Sequence, residues 1–253
     1  MSYADAYSAD RSLKGKLRRR LVRLMHRRPL AAAPDRAMVS FSFDDVPATA
    51  AHAGAEALEA RGVHGTFFIA ADLAGKEAPM GVCGLAEDYR RLVAAGHELA
   101  CHTYSHLDCG QADGAKALVD VAANAEAFRA WELPKATTFA YPYGDVGYGT
   151  KPALGDQFQL LRALHHGVIV QGSDLNQAPG VGIEGPGGES LARRWIEIAR
   201  RRNAWLILYT HDVRDEPSPW GCTPAVFGRL IDAAIAAGLE VVTVAEGARR
   251  LGL

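Results

Sequence analysis

The stretch MVSFSFDDV at residues 38–46 decides the fold class. It begins just after Pro34 and Asp35 break a preceding helical pattern. Its first six residues are apolar, aromatic or small, which favours a buried β-strand. Two adjacent acids, Asp44 and Asp45, follow this run. The stretch therefore predicts a core strand that delivers two carboxylates to one end of a sheet.

Six more strand-like runs follow, and most are separated by helical segments rich in Ala, Leu, Glu and Arg. The predicted strands cover residues 66–70, 98–102, 137–141, 167–170, 205–210 and 239–244. The predicted helices cover residues 48–61, 85–95, 113–130, 189–202 and 223–237. This alternation predicts a parallel α/β architecture, either a barrel or an open sheet. Because there is no internal repeat and no clear linker, residues 36–253 are expected to form one domain.

The composition is that of a globular protein. The chain has 253 residues, of which 49% are hydrophobic and 23% are charged. These values exclude a disordered chain, a collagen-like chain and a small disulfide scaffold. No stretch approaches the roughly 20 apolar residues that span a bilayer. The four cysteines form no CxxC pair, so reduced, buried thiols in a cytoplasmic protein are expected.

A basic arm, defined as residues 1–35, precedes the predicted domain. Residues 11–28 contain nine Lys or Arg and no acid, which leaves 19 basic and 29 acidic residues elsewhere, a net charge of −10. A basic amphipathic helix is predicted over residues 12–28, because four leucines recur at helical spacing, namely Leu13, Leu17, Leu21 and Leu24. Such a helix suits an anionic membrane face, but it equally suits packing on the barrel or a homodimer contact. Nucleic acid is not an expected partner, because nothing else in the chain is basic.

The arm does not read as a secretion signal. Such a signal needs an apolar segment of about 7 to 15 residues after its basic start. Here only the short segment from Leu30 to Pro34 follows. The expected location is the cytoplasm, with peripheral contact at the inner membrane face if the arm binds lipid.

Polar groups gather where the predicted strands end. Beyond the two acids at 44–45, these are His-Thr-Tyr-Ser-His at 102–106, Pro-Tyr-Gly at 142–144, and His-Asp at 211–212. The carboxyl ends of parallel strands carry ligand sites, so these groups are expected at one rim. Alone, each pattern has an ordinary structural explanation, such as a turn or a helix cap. Together, two imidazoles and one carboxylate make a three-ligand metal set that leaves a coordination position for water, as in catalytic zinc sites.

These residues, in this order, resemble the polysaccharide deacetylases of carbohydrate esterase family four, also called the NodB homology domain. The resemblance covers residues 36–250. The family motifs T-F-D-D-G, H-[ST]-x-x-H, R-x-P-[YF]-G and L-x-x-H correspond to SFDDV at 42–46, HTYSH at 102–106, AYPYG at 140–144 and LYTH at 208–211. The fold implied is an irregular (β/α)7-type barrel.

The resemblance implies a role for each matched residue. Asp44 corresponds to the catalytic base and His211 to the general acid. The backbone N–H of Tyr143 corresponds to an oxyanion donor, and Tyr143 and Leu208 are expected to contact substrate. One divalent metal ion is implied, with zinc expected and cobalt, nickel or iron compatible, and its ligands correspond to Asp45, His102 and His106. The implied reaction is de-N-acetylation of an N-acetylated glycan, with release of acetate.

The missing arginine of the third motif is the main departure from the family pattern. Ala140 replaces an arginine that in the family pairs with the catalytic aspartate. Its loss is expected to raise the pKa of Asp44 and to loosen the orientation of that carboxylate, unless another arginine substitutes. Arg162 and Arg229 are the candidates.

Two further departures predict a divergent member of the family. Val46 replaces the glycine of the first motif. The fourth motif, D-x-x-D-W, is not evident, and Asp174 is the candidate for its acid. Asp174 lies in a Gly- and Pro-rich loop at 171–190, whose length indicates either a functional loop or a plain surface insertion.

Three functions stay open at this stage. The first is an active deacetylase of glycan precursors, such as lipid-linked glycans, as for the holdfast and exopolysaccharide deacetylases that serve biofilm-forming adhesive bacteria. The second is a metal-dependent hydrolase of small cyclic amides, for which the missing arginine is easier to accept. The third is a catalytically silent glycan-binding protein of the same fold.

Overall fold

The protein is built around one parallel β-sheet. The computed structural model describes residues 13–253, without the side chains of Leu13, Lys14 and Lys16. Its strands are β1 (Met38–Asp44), β2 (Thr66–Ile69), β3 (Glu77–Ala78), β4 (Gly81–Val82), β5 (Glu98–Cys101), β6 (Thr138–Ala140), β7 (Leu160–Arg162), β8 (Val181–Gly182), β9 (Trp205–Thr210) and β10 (Glu240–Val241). The sheet order is β7-β6-β5-β2-β1-β9-β8, with β10 also paired to β1. Strands β3 and β4 form a separate antiparallel pair.

Helices connect most of the strands. They are α1 (Leu13–Val22), α2 (Ala55–Glu59), α3 (Ala86–Ala94), α4 (Gly114–Ala130), α5 (Thr150–Gly155), α6 (Gly188–Arg202), α7 (Pro224–Ala236) and α8 (Val244–Arg250). The local sequence explains where several of these helices begin. Asp113 accepts a hydrogen bond from Lys116 N (2.7 Å) at the start of α4, and Thr223 accepts one from Val226 N (3.2 Å) before the Pro224 that opens α7. Both are N-cap arrangements that satisfy otherwise unpaired backbone donors.

One segment joins the two edges of the sheet. Ala163 N donates to Ala178 O and Ala178 N donates to Leu161 O, each at 2.8 Å, so the chain before β8 pairs with β7. Three residues later Val181 pairs with Leu208 of β9. The sheet therefore curls into an irregular barrel, which confirms the predicted single-domain α/β barrel.

The two faces of β1 show how the barrel is filled. Successive side chains of a strand point to opposite faces. One set packs into the main apolar core with α2, α6 and α7, and it consists of Val39, Phe41 and Phe43. The other set faces the barrel interior and consists of Ser40, Ser42 and Asp44. Inside, Ser40 Oγ accepts a hydrogen bond from Trp205 Nε1 at 2.9 Å.

Some predicted elements are wrong in extent. The predicted strand at 167–170 is reduced to a single bridge between Ile169 and Trp205. The predicted strand at 239–244 is short because Thr243 caps a helix there, accepting from Glu246 N at 3.2 Å. The missed elements have seven residues or fewer, too few to show a clear period in the sequence, and they are β3, β4, β7, β8, α5 and α8.

The helix of the arm is shorter than predicted. It ends at Val22 rather than residue 28, and residue 12 lies outside the described residues. The following chain packs on the domain instead. Arg28 donates to the carbonyls of Phe158 (2.8 Å) and Gln159 (2.7 Å), and Leu30 N donates to Ser173 O (2.8 Å). These tertiary hydrogen bonds replace the helical ones that residues 23–28 would have made.

A buried lysine fastens the end of α1 to the domain. The side chain of Lys151 is fully buried, and its Nζ lies 2.7 Å from the carboxylate of Asp174. The same Nζ donates to Val22 O at 2.8 Å and to Gln177 Oε1 at 3.1 Å. A buried charge needs such partners, because removal from water is costly.

We predict that Lys151→Ala lowers the free energy of unfolding by about 3 kcal/mol, because it leaves the Asp174 carboxylate buried without its cation. Lys76→Ala is the matched control, because it breaks an exposed ion pair with Asp72 (2.9 Å). Such a pair contributes less than about 1 kcal/mol. Urea denaturation of both variants measures the difference, and equal losses would contradict the prediction.

Candidate active site

A cavity of about 310 Å³ opens at the carboxyl ends of the strands. Asp44 ends β1, and the other polar residues follow β1, β5, β6 and β9 directly. Six predicted site residues line this cavity, namely Asp44, Asp45, His102, His106, Tyr143 and His211. The barrel therefore brings together groups that are up to 167 positions apart in the sequence.

Three buried side chains in the cavity form a candidate metal centre. Asp45 Oδ1 lies 3.2 Å from His106 Nε2 and 3.7 Å from His102 Nε2. Ligand atoms about 2.1 Å from a tetrahedral ion lie about 3.4 Å from one another, so this spacing suits one ion. Asp45 Oδ1 is buried, and no hydrogen bond from the described residues reaches it. A buried acceptor without a hydrogen-bond donor, next to two imidazole nitrogens, is what a cation-binding site would show.

Burial sets the protonation state of the two histidines. It lowers the pKa of His102 and of His106 to about 4, so both are neutral at pH 7. Neutral imidazole is the form that binds a metal. Burial also raises the pKa of Asp45, although the nearby His102 and His211 act in the opposite direction. His102 Nδ1 lies 2.8 Å from the Ala140 carbonyl, which fixes its hydrogen on Nδ1 and leaves the Nε2 lone pair toward Asp45.

The loop that carries both histidines is held in an unusual conformation. Thr103 (φ 62°) and His106 (φ 54°) adopt left-handed backbone angles, which non-glycine residues seldom do. Asp120 of α4 compensates by accepting hydrogen bonds from Tyr104 N (2.7 Å), Ser105 N (3.0 Å) and Ser105 Oγ (2.7 Å). A single carboxylate thus shapes the turn between the two predicted ligands.

An arginine from the neighbouring strand replaces the one missing from the third motif. Ala140 of β6 and Arg162 of β7 are paired in register. The Arg162 side chain is fully buried, and its Nη2 donates to Asp44 Oδ1. Its guanidinium also lies over the rings of Phe68 (4.9 Å) and Tyr209 (5.0 Å). Because the small side chain at 140 leaves the barrel interior open, the cation reaches the same carboxylate from one strand further along.

This ion pair overturns the expected rise in the pKa of Asp44. Burial acts to raise that pKa, but the charge of Arg162, helped by His102 and His211, outweighs burial and lowers it. Asp44 is therefore ionised at neutral pH. The other candidate, Arg229, lies on the surface and pairs with Glu189 at 2.6 Å, outside the site.

The pKa of His211 is shifted in the opposite direction to that of Asp44. Its Nδ1 lies 3.2 Å from Glu184 Oε1 and 3.3 Å from the Trp220 carbonyl. Burial alone would lower its pKa, but the hydrogen bond to Glu184 and the charges of Asp44 and Asp45 raise it to about 9. The imidazole is thus protonated at neutral pH and can donate a proton into the cavity.

Glu184 is a site residue that the sequence analysis missed. Asp174, the candidate for the acid of the fourth motif, does not line the cavity. Asp174 pairs with Lys151 and accepts from Asn176 N (3.0 Å) in a 3₁₀ turn. Glu184 lies two residues beyond β8 in the same Gly- and Pro-rich loop, without a recognisable motif. The only signal for it was the length of that loop.

Tyr143 occupies a strained position at the rim. Its φ is 58°, and its ring meets the His106 ring edge-on at 4.4 Å between centroids. The next residue, Gly144 (φ 65°), approaches Leu164 so closely that a Cβ would lie 2.3 Å from Leu164 Cγ. Glycine is required there, because no side chain fits and the backbone is left-handed.

The expectation that Leu208 contacts substrate is wrong. Leu208 is fully buried in the main apolar core, on the outer face of β9. Its neighbour Tyr209 points the other way and lines the cavity. The period of two along a strand explains the difference, because adjacent residues face opposite sides of the sheet.

An aromatic residue, also missed, stands at the cavity mouth. Trp220 lines the cavity and is 38% exposed, and its carbonyl accepts from His211 N at 3.1 Å. Buried Asp212 shapes the loop that presents it, accepting from Ser218 N (2.8 Å) and pairing with Arg214 (2.9 Å). Asp212 is therefore a structural residue of the site.

The fold is that of the family 4 carbohydrate deacetylases and esterases. The chitin deacetylase of Colletotrichum lindemuthianum shares 19% identity with a TM-score of 0.62, over 87% of this chain and 90% of that one. The family 4 acetyl xylan esterase of Clostridium thermocellum, solved with cobalt, shares 20% identity with a TM-score of 0.56, over 83% and 89%. The Bacillus subtilis peptidoglycan deacetylase shares 16% identity with a TM-score of 0.58, over 87% and 93%.

The sequence agrees with the fold. The model of the polysaccharide deacetylase family matches residues 31–156, which include the first three motif regions. Through residues 31–156 the chain belongs to the polysaccharide deacetylase family. Comparison with curated protein sequences gives no match.

We predict that Arg162→Ala lowers the turnover of an acetylated glycan by about 100-fold, because Asp44 loses the cation that keeps it ionised and oriented. The double variant Ala140→Arg/Arg162→Ala returns an arginine to the paired position and is expected to recover part of the loss. Turnover and melting temperature are measured together. Wild-type turnover in folded Arg162→Ala would contradict the role of the pair.

We predict that Glu184→Gln moves the alkaline limb of the pH–rate profile to lower pH by about one unit. A raised pKa keeps His211 protonated until the pH rises through about 9, and removal of the Glu184 charge lowers that pKa. Glu189→Gln is the matched control, because it removes a half-buried carboxylate outside the cavity that pairs with Arg193 and Arg229. An unmoved limb in Glu184→Gln would contradict the assignment.

Proposed function

We propose that the protein is a metal-dependent N-deacetylase that removes acetyl groups from N-acetylated amino sugars in a poly- or oligosaccharide. One observation carries the proposal. Asp44 and His211 share a cavity, yet the pKa of the first is lowered and that of the second is raised to about 9. A carboxylate base and an imidazolium acid therefore coexist at neutral pH, which is the pairing that amide hydrolysis needs.

Each residue has a step that its chemistry permits. Asp44 takes a proton from the attacking water as that water adds to the amide carbonyl. The backbone N–H of Tyr143 donates a hydrogen bond to the oxygen on which negative charge develops. His211 then gives its proton to the leaving nitrogen, so the C–N bond breaks to yield acetate and a free amine. Without that proton the leaving group would be an amide anion.

The Asp45, His102 and His106 cluster completes the site. A divalent ion held by these three residues would polarise the amide carbonyl and acidify the water. The cluster provides one carboxylate and two neutral imidazoles, and this donor set is compatible with zinc, cobalt, nickel or iron. Zinc is the ion we propose.

The cavity supports a sugar substrate. Trp220 offers an exposed aromatic face beside the acid and the base, and an aromatic face suits the apolar side of a pyranose ring. An N-acetyl group is favoured over an O-acetyl group, because a departing amine needs the proton of His211 more than a departing alcohol does. The Colletotrichum and Bacillus relatives are named for chitin and peptidoglycan.

Neither alternative gains support from the geometry. A hydrolase of small cyclic amides was attractive because the third motif lacks its arginine, and Arg162 removes that reason. A silent glycan-binding protein has no physical need for Asp44 and His211 to hold opposite charges in one cavity. The deacetylase therefore remains the function that we propose.

The test is acetate release from N-acetylglucosamine oligomers by chelated protein and by protein restored with zinc or cobalt. Release is expected only after metal is restored.

We predict that Asp44→Asn keeps its metal and loses turnover by about 100-fold or more. We predict that His102→Ala loses metal, whereas the exposed His166→Ala keeps both metal and turnover. Metal-loaded wild-type protein that releases no acetate from glycan oligomers would contradict the proposal.

A further inference from the structure

The outer face of α1 presents large apolar side chains to solvent. Leu17, Leu21 and Leu24, here called the leucine stripe, are 57%, 41% and 69% exposed. Leu17 and Leu21 are four residues apart on α1, so they lie on the same side of that helix, and Leu24 follows in the turn after Val22. Met25 extends the stripe and is 42% exposed. The side chain of Leu13, the first leucine of the predicted amphipathic helix, lies outside the described part of the chain.

The inner face of the same helix is fixed to the domain. Val22 is buried, and its carbonyl accepts a hydrogen bond from the buried Lys151. Arg18 donates to the carbonyl of Gly110 and pairs with Asp145. The leucine stripe is therefore held facing outward, and the idea that Leu17, Leu21 and Leu24 pack on the barrel is wrong.

The charge around the stripe defines its partner. Arg20, Arg23 and Arg27 are exposed on the same short segment. Residues 11–28 carry nine basic residues and no acid, although the other segments have a net charge of −10. Apolar side chains beside guanidinium groups match a surface that is apolar within and anionic at its face, which is an anionic lipid bilayer.

We propose that the leucine stripe and its flanking arginines dock the protein on an anionic membrane surface. The helix would lie in the plane of the interface, because its inner face is fixed to the domain through Arg18 and Val22. The leucines enter the acyl boundary and the arginines contact lipid phosphates. Three leucine side chains buried in this way are enough for reversible binding.

Two other occupants fit the surface less well. A symmetric dimer through the stripe would place the same patch of each copy against the other, and so would bring like-charged arginines together. A nucleic acid would use the arginines but has no place for three exposed leucines. Both serve as outcomes of the test.

The position of the arm brings the membrane close to the cavity. Gly110 and Asp145, which bind Arg18, follow the two loops that carry His106 and Tyr143. A docked arm thus holds this rim beside the bilayer. If the proposed deacetylase function is correct, the substrate is a glycan held at the membrane, such as a lipid-linked precursor. This last step alone rests on the proposed function.

Vesicle flotation of the full chain tests docking without reference to activity. The vesicles are phosphatidylcholine alone and phosphatidylcholine mixed with phosphatidylglycerol. Deletion of the arm is unsuitable, because it removes Arg18, Val22 and Arg28, which stabilise the domain. The test variant is Leu17→Gln/Leu21→Gln/Leu24→Gln, which keeps helix propensity. The matched control is Leu118→Gln/Val119→Gln, exposed apolar residues of α4.

Wild-type protein and the α4 control are expected to float with phosphatidylglycerol vesicles and much less with phosphatidylcholine alone. The stripe variant is expected to lose binding by about tenfold or more, with an unchanged melting temperature. Absence of wild-type flotation, or equal flotation of the stripe variant, would overturn the proposal. So would light scattering that shows a stripe-dependent dimer without vesicle binding, or retention of wild-type protein by DNA or RNA but not by vesicles.

Discussion

The ion pair between Asp44 and Arg162 is the interaction on which the rest of the site depends. Either charge alone inside the barrel would cost several kcal/mol, so the two side chains are tolerated only together. Strands β1 and β7 lie four places apart in the sheet, and the pair connects them across the interior. The same contact that permits a charged barrel interior therefore also fixes the Asp44 carboxylate in the cavity, where we propose that it acts as the base.

Two opposing physical effects, desolvation and the attraction of nearby carboxylates, set the protonation states of the histidines. Desolvation keeps His102 and His106 neutral, because their nearest charges are too weak to overcome it. At His211 the same desolvation is outweighed by Glu184 and by the carboxylates that share the cavity. Histidines of one cavity thus hold different protonation states. The state of each histidine follows from all the groups that act on it. His211 has a hydrogen bond to Glu184 and the charges of Asp44 and Asp45, whereas the charge of Arg162 acts against protonation of His102 and that of His211 acts against protonation of His106.

The sequence predicted the elements with a strong local signal and missed those that depend on tertiary contacts. The strand at 38–43 and the two acids that follow it could be predicted, because apolar runs and motifs consist of consecutive residues. Arg162 could be named only as a candidate, because its pairing with Asp44 follows from the register of β6 and β7. Glu184 could not be predicted, because acids in an irregular loop carry no period. Leu208 was misplaced because a motif letter does not say which face of a strand a residue takes.

The left-handed backbone angles at the site have a consequence for how the protein can change. Asp45, Val46, Thr103, His106 and Tyr143 all have φ between 49° and 62°. Most side chains disfavour this region, so each of these positions carries a conformational cost of order 1 kcal/mol or more. Glycine would relieve that cost but would delete the functional group, or, at Val46, a fully buried part of the core. At Asp45, His106 and Tyr143, selection for a more stable backbone therefore acts against the side chains that line the cavity, and at Val46 it acts against the packing of the core.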